Sequence, residues 1–226
     1  DPVTVTALAI SNKDDAVIFL SCDVVGIRSF LVRMVREKVR AMSPDIPAEK
    51  IIMNATHTHE GGDLYDVPDR FETPPRMPGR EYQEFFSGRA AEAVCEAWKN
   101  RSPGGVAWGC GFAPVGQSRR TVYMDDTSKR PEAAGNPGLT VNGRAVMYGK
   151  TDDPKFSHFE AGTESFIDVL LTYGPDKGKP TGAVVNVPCP SQVEEHMWML
   201  SADYWHETRE ELRRRFGKDF HVLPQC

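Results

Sequence analysis

The chain reads as an α/β protein, a mixed β-sheet flanked by helices, and three observations carry that reading. Residues 3–10 and 16–22 alternate or run apolar over strand length on either side of the polar Lys13-Asp14-Asp15, the pattern of an antiparallel hairpin. Ile27, Phe30, Leu31, Met34, Val35 and Val39 then recur at helical spacing. A second apolar run, Ile51-Ile52-Met53-Asn54, follows. Strand, helix and strand in that order imply a crossover unit. If the two strands are parallel neighbours, Asp23 and the residues after Asn54 fall at one carboxyl edge, where open α/β sheets bind their ligands.

The other elements follow in order. The first helix ends near Met42-Ser43-Pro44, and Pro47 followed by Glu49 predicts a short helical turn before a strand at 51–55. Residues 61–80 carry four prolines, three glycines and mixed charge, a long loop of the kind that forms lids or mobile segments. Tyr82, Phe85, Phe86, Ala90, Ala93, Val94 and Ala97 mark a second helix at about 82–99. Gly105 to Phe112 reads as a strand. The stretch 114–163, rich in Gly, Pro, Asp and Lys, reads as irregular, with a small hairpin around Asn142-Gly143. Residues 165–173 and 181–188 are strands joined by Gly174-Pro175-Asp176-Lys177-Gly178. A third helix runs from Ala202 to Phe216, with Ser201 as N-cap and Gly217 as the stop. The whole, 1–226, is expected to form a single α/β domain.

Composition narrows the function classes. The 226 residues are 40% hydrophobic and 26% charged, ordinary for a globular protein. A net charge of −5 and a pI near 5.7 exclude a general nucleic-acid binder, because phosphate contact needs a basic excess. No apolar run approaches the about 20 residues of a membrane helix, and no signal peptide is visible. The five cysteines, Cys22, Cys95, Cys110, Cys189 and Cys226, lack the paired spacing of a zinc ribbon or redox motif. They read mostly as buried small hydrophobes.

The chemistry concentrates in Ala55-Thr56-His57-Thr58-His59-Glu60. In a strand, side chains at i and i+2 leave the same face with origins roughly 7 Å apart, so His57 and His59 can converge on one ion. Gly61-Gly62-Asp63 would stop the strand and let the backbone approach a bound group. Neutral imidazole is a common zinc ligand, and zinc activates water near neutral pH. The alternative is two satisfied polar residues at a strand end.

Ala55-Thr56-His57-Thr58-His59 with its following glycines resembles the Thr-His-Thr-His-Ser-Gly signature of the neutral/alkaline non-lysosomal ceramidases and their bacterial relatives. Further landmarks occur in the same order. Asp1-Pro2 with Val5-Thr6-Ala7-Leu8-Ala9-Ile10 resembles the family's first strand, and Ser21-Cys22-Asp23-Val24-Val25-Gly26 its Ser-x-Asp-x-x-Gly strand end. Ser118-Arg119-Arg120 is similar to its Asn-Arg-Arg, and Ser201-Ala202-Asp203-Tyr204 to its Ser-Ala-Asp-Tyr/Phe. The resemblance implies a zinc-dependent hydrolase acting on an amide bond of a lipid-like or other N-acyl substrate. His57 would hold the metal, with His59 beside it as a second ligand, proton shuttle or hydrogen-bond donor. It also favours Arg119 or Arg120 facing the site, where an arginine fork could clamp a carboxylate, phosphate or carbonyl. Export is common among the bacterial relatives, so a periplasmic or secreted location is expected.

Departures from the family pattern qualify this. Where the family's Phe-x-x-His strand end supplies a further zinc-binding histidine, this chain has Pro190, and proline cannot bind metal. Cys189, His196 or nothing takes its place. Family members continue past a segment like Phe220–Cys226 into a Gly-Asp-x-Ser-Pro motif with the proposed serine nucleophile, and they open on an additional strand. The resemblance therefore implies an incomplete half, the amino-terminal part of a larger catalytic domain and a poor catalyst by itself.

Other motifs are weaker. His206-Glu207-Thr208-Arg209-Glu210 begins like H-E-x-x-H, but Glu210 stands at the second histidine. Nothing around His158 distinguishes a ligand from a bystander. Two further readings stand beside the hydrolase. A barrel-type metal amidohydrolase also uses His-x-His but needs regular βα alternation, and a catalytically silent binding protein would have kept the scaffold and lost ligands.

Overall fold

The structure, a computed structural model, describes residues 1–65, 77–131, 140, 141, 143–176 and 178–226. Two compact units divide the chain, Asp1–Gly111 with Ile167–Cys226, and Phe112–Phe166. The architecture is α/β, with three helices and mixed sheets.

In the first unit the expected hairpin forms. β1 (Val5–Ser11) and β2 (Ala16–Cys22) pair antiparallel, Val5 opposite Cys22. The Asn12 side-chain carbonyl closes the turn by accepting the N–H groups of Asp14 and Asp15 at 2.8 Å. α1 (Ser29–Met42) and a 3-10 turn at Ala48–Lys50 lead to β3 (Ile51–Ala55), parallel to β2 with Cys22 opposite Ala55. Leu31, Val35 and Val39, one turn apart on α1, are buried with Ile18 and Leu20 of β2. Phe86, Ala90 and Val94 of α2 (Gly79–Lys99) complete that core. α2 begins ahead of its apolar pattern because Pro78 occupies the N-cap and its carbonyl accepts the Tyr82 N–H.

A second crossover follows. β9 (Phe166–Tyr173) and β10 (Pro180–Asn186) are antiparallel, and α3 (Trp205–Phe216) leads to β11 (His221–Gln225), parallel to β10. With β4 (Gly105–Phe112) the sheet order is β11-β10-β9-β4. The antiparallel pairs rule out the all-parallel barrel of the amidohydrolase reading. β11 was not legible because it is short and contains Pro224, a residue that argues against a strand. α3 starts at Trp205, not Ala202, because Asp203 is left-handed (φ 55). Ser201 is not its cap, since the hydroxyl donates to the Glu194 carboxylate (2.9 Å) and accepts the Asp203 N–H (3.0 Å). Gly217 (φ 118) ends the helix as expected.

The carboxyl ends of the two parallel pairs meet. Asn54 Nδ2 donates to the Pro224 carbonyl (3.0 Å), Val187 N–H to Gln225 (2.9 Å) and Ser191 N–H to Thr56 (3.0 Å). The residues that follow β2, β3 and β10 thus share an edge, the place where such topologies bind ligands.

In the second unit, the stretch 114–163 carries more strand than the single small hairpin expected. A four-stranded sheet forms, ordered β6-β7-β5-β8, from β5 (Arg120–Tyr123), β6 (Thr140–Val141), β7 (Ala145–Met147) and β8 (Phe156–Phe159). Strands of two to four residues are too short for periodicity to show. The expected small hairpin is β6–β7, with Thr140 opposite Val146. Asn142 of its turn, and residues 66–76 of the expected 61–80 loop, lie outside the described residues.

The cysteine reading also needs correction. Only Cys22 is buried; Cys95 and Cys189 are half-buried, Cys110 and Cys226 exposed, and no disulfide joins any of the five. Burial pushes the Cys22 thiol well above its ordinary range. Among the described residues no helix is long and apolar enough to cross a membrane.

Candidate metal centre

The β3 strand stops at Ala55, but bonding to the extension of β2 persists. Thr56 N–H reaches the Cys22 carbonyl (3.0 Å) and His57 N–H that of Val24 (3.1 Å). His57 itself is left-handed (φ 66), so strand pleating does not align the two rings. The alternate side chains do. Thr56, Thr58 and Glu60 are buried. Thr56 Oγ1 donates to Asp23 Oδ1 (3.2 Å), Thr58 Oγ1 to the Ser201 carbonyl (2.8 Å), and Glu60 Oε1 accepts the Met197 N–H (2.8 Å). With these three tied inward, both histidines remain partly open to solvent.

Their rings meet edge to face, centroids 5.1 Å apart and planes at 66°. The two Nε2 atoms are 3.4 Å apart. A good hydrogen bond closes to about 3.2 Å or less, whereas two nitrogens each about 2.0–2.1 Å from one tetrahedral zinc stand about 3.3–3.4 Å apart. On its far side, His59 Nδ1 lies 3.0 Å from Glu195 Oε1, which also accepts from Gln192 Nε2. Donor type and spacing therefore fit zinc for two ligands. Among the described residues, no group of three or more His, Cys, Asp or Glu side chains could hold a metal ion.

Asp23 stands at the same edge but serves the frame. Its carboxylate accepts Thr4 N–H (2.9 Å), Thr4 Oγ1 (3.0 Å), Thr56 Oγ1 (3.2 Å) and both terminal nitrogens of Arg209 (2.9 Å each). The glycine pair also serves packing. A Cβ on Gly61 would stand 3.0 Å from the Asp23 carbonyl oxygen, and one on Gly62 would overlap the Tyr82 ring. Gly62→Ala is expected to lower stability by about 1–3 kcal/mol, read from the urea midpoint. An unchanged midpoint would show that Tyr82 moves aside freely.

The other candidates divide. Arg119 and Arg120 belong to the second unit. There Arg119 Nη1 donates to Tyr148 Oη (2.7 Å), its guanidinium 4.9 Å from that ring, and Arg120 pairs with Glu160 (2.7 Å). The Cys189 thiol lies 3.5 Å from the Pro190 carbonyl oxygen, and His196 is exposed and left-handed (φ 61). His206 Nδ1 is 3.8 Å from the Asp1 carboxylate and Glu210 pairs with Arg213 (2.8 Å), so each has its own partner in place of a shared ion. His158 is exposed and its Nδ1 lies 2.9 Å from Ser157 Oγ. Sequence reasoning missed the contact of Glu195 with His59 and the role of Arg209. The acidic pair Glu194-Glu195 was visible, but nothing in its spacing linked it to a turn 136 residues earlier (195 − 59 = 136).

Solved structures supply a likeness for the fold. A ceramidase complexed with C2 matches with a TM-score of 0.60 at 16% identity, over 96% of this chain and 30% of its own. The fold is ceramidase-like. The neutral ceramidase from Pseudomonas aeruginosa matches with a TM-score of 0.57 at 15% identity, over 94% of this chain and 30% of its own. This chain thus spans under a third of the length of these ceramidase-fold neighbours. No protein-family model matches it, and no curated protein sequence does.

Proposed function

We propose that the chain carries the metal-binding edge of a zinc-dependent hydrolase that cleaves an amide bond in a lipid-like or other N-acyl substrate. The 3.4 Å separation of the two Nε2 atoms carries the reading, and the ceramidase-like fold supports it. His57 would hold the ion, with His59 either sharing it or taking and returning a proton at Nε2. Zinc bound there would polarise the scissile carbonyl and activate water near neutral pH. Thr56, Thr58 and Glu60 keep both rings turned to the open side. One of Arg119 and Arg120 is proposed to clamp a carboxylate, phosphate or substrate carbonyl, and a periplasmic or secreted location fits the same reading.

A silent binding protein is the second reading. Pro190 favours it, because Ser191 N–H bonds the Thr56 carbonyl, which puts a residue without metal-binding capacity beside the histidine turn. Amine release from N-acyl amides by the full-length protein that carries this chain, in zinc-supplemented buffer, separates the two. The hydrolase reading expects release that stops on chelation and in His57→Ala. Zinc binding without turnover would favour the binding protein, and turnover indifferent to both would contradict a metal mechanism.

A further inference from the structure

Glu195 has no part in the landmarks that suggest a hydrolase, yet it touches the centre directly. Its Oε1 lies 3.0 Å from His59 Nδ1, with both side chains about one-third exposed. A carboxylate accepts only, so Nδ1 must carry the hydrogen. Nε2 of the neutral ring is then a bare lone pair, and it faces His57 Nε2.

The loop that carries Glu195 is held at both sides of it. Val193 N–H and Glu194 N–H donate to Asp203 Oδ2 (2.8 and 2.7 Å), and Met197 N–H donates to Glu60 Oε1 (2.8 Å). Ser201 N–H reaches the Glu60 carbonyl (3.0 Å) while its own carbonyl takes the Thr58 hydroxyl. His57, His196 and Asp203 are all left-handed. Such residues cost of order 1–3 kcal/mol each and persist where the surroundings over-determine them. The loop and the histidine turn are thus one braced unit with the carboxylate set against the imidazole.

We propose that Glu195 is a positioning residue that fixes the Nδ1–H tautomer and the ring orientation of His59, presenting its Nε2 to an ion shared with His57. Its role toward zinc rests on the metal reading above; its role in fixing the tautomer does not. Carboxylate partners of this kind raise ligand basicity, and their loss costs about 10–100-fold in metal affinity.

The test uses imidazole nitrogen NMR of the metal-free 226-residue chain at about pH 8, above the ordinary histidine pKa, together with zinc affinity measured by chelator competition. Wild type is expected to show His59 protonated at Nδ1 and bare at Nε2. Glu195→Ala should give a tautomer mixture and bind zinc about 100-fold more weakly. Glu195→Gln, whose amide oxygen still accepts, should keep the tautomer and lose about 10-fold, and it alone decides the matter if the alanine variant does not fold. A wild-type His59 protonated at Nε2 would overturn the proposal, as would a Glu195→Ala chain with unchanged tautomer and affinity. If wild type binds no zinc but the tautomer shift is seen, the metal reading falls and the positioning stands. If wild type binds zinc and Glu195→Ala binds it equally well, the positioning falls and the metal reading stands.

Discussion

Arg209→Ala is expected to lower the unfolding free energy by about 3–5 kcal/mol, because it strands a buried carboxylate. The Asp23 side chain is 0% exposed and that of Arg209 5%. Their two parallel bonds of 2.9 Å are the strongest geometry available to such a pair. Loss of the guanidinium leaves Asp23 with only Thr4 and Thr56 as donors. The effect should reach the site, since the same carboxylate holds Thr56 Oγ1, next to His57. Urea unfolding checks the stability term. Asp23→Asn combined with Arg209→Met should restore part of the loss, as removing both charges costs less than orphaning one. A single Arg209→Ala variant within about 0.5 kcal/mol of wild type, the range of ordinary surface substitutions, would show that water or a shifted side chain replaces the guanidinium.

Long periodic segments were legible in the sequence because burial of one face imposes the pattern. The spacing of Leu31, Val35 and Val39 predicts α1, and the apolar runs at 16–22 and 51–55 predict β2 and β3 to within a residue. Their parallel pairing, left as a condition by the crossover, is what the register shows, with Cys22 opposite Ala55. Of the second unit only the β6–β7 hairpin was legible, from its turn residues, since strands of two to four residues are too short to show a period. β11 was hidden for a related reason, with Pro224 inside a strand whose identity depends on a partner elsewhere in the chain.

The site was half legible. His57 and His59 were visible as a motif, but the expected cause of their convergence, strand pleating, was not the operative one. A left-handed residue breaks the strand, and buried partners of Thr56, Thr58 and Glu60 restore the alignment. Those partners, Asp23, Ser201 and Met197, are tertiary contacts up to 143 residues away, beyond the reach of local patterning.

The second large effect concerns the metal directly. Two converging imidazole nitrogens with no third ligand among the described side chains should make zinc binding depend on both rings, so neither substitution can be absorbed by the other residue. The most direct measurement is an equilibrium zinc titration against a competing chelator, run on wild type, His57→Ala and His59→Ala at matched folded fraction. The two-histidine centre predicts one zinc per chain in wild type and its loss in both variants. No zinc in wild type, or zinc held equally well after either histidine is removed, would contradict it.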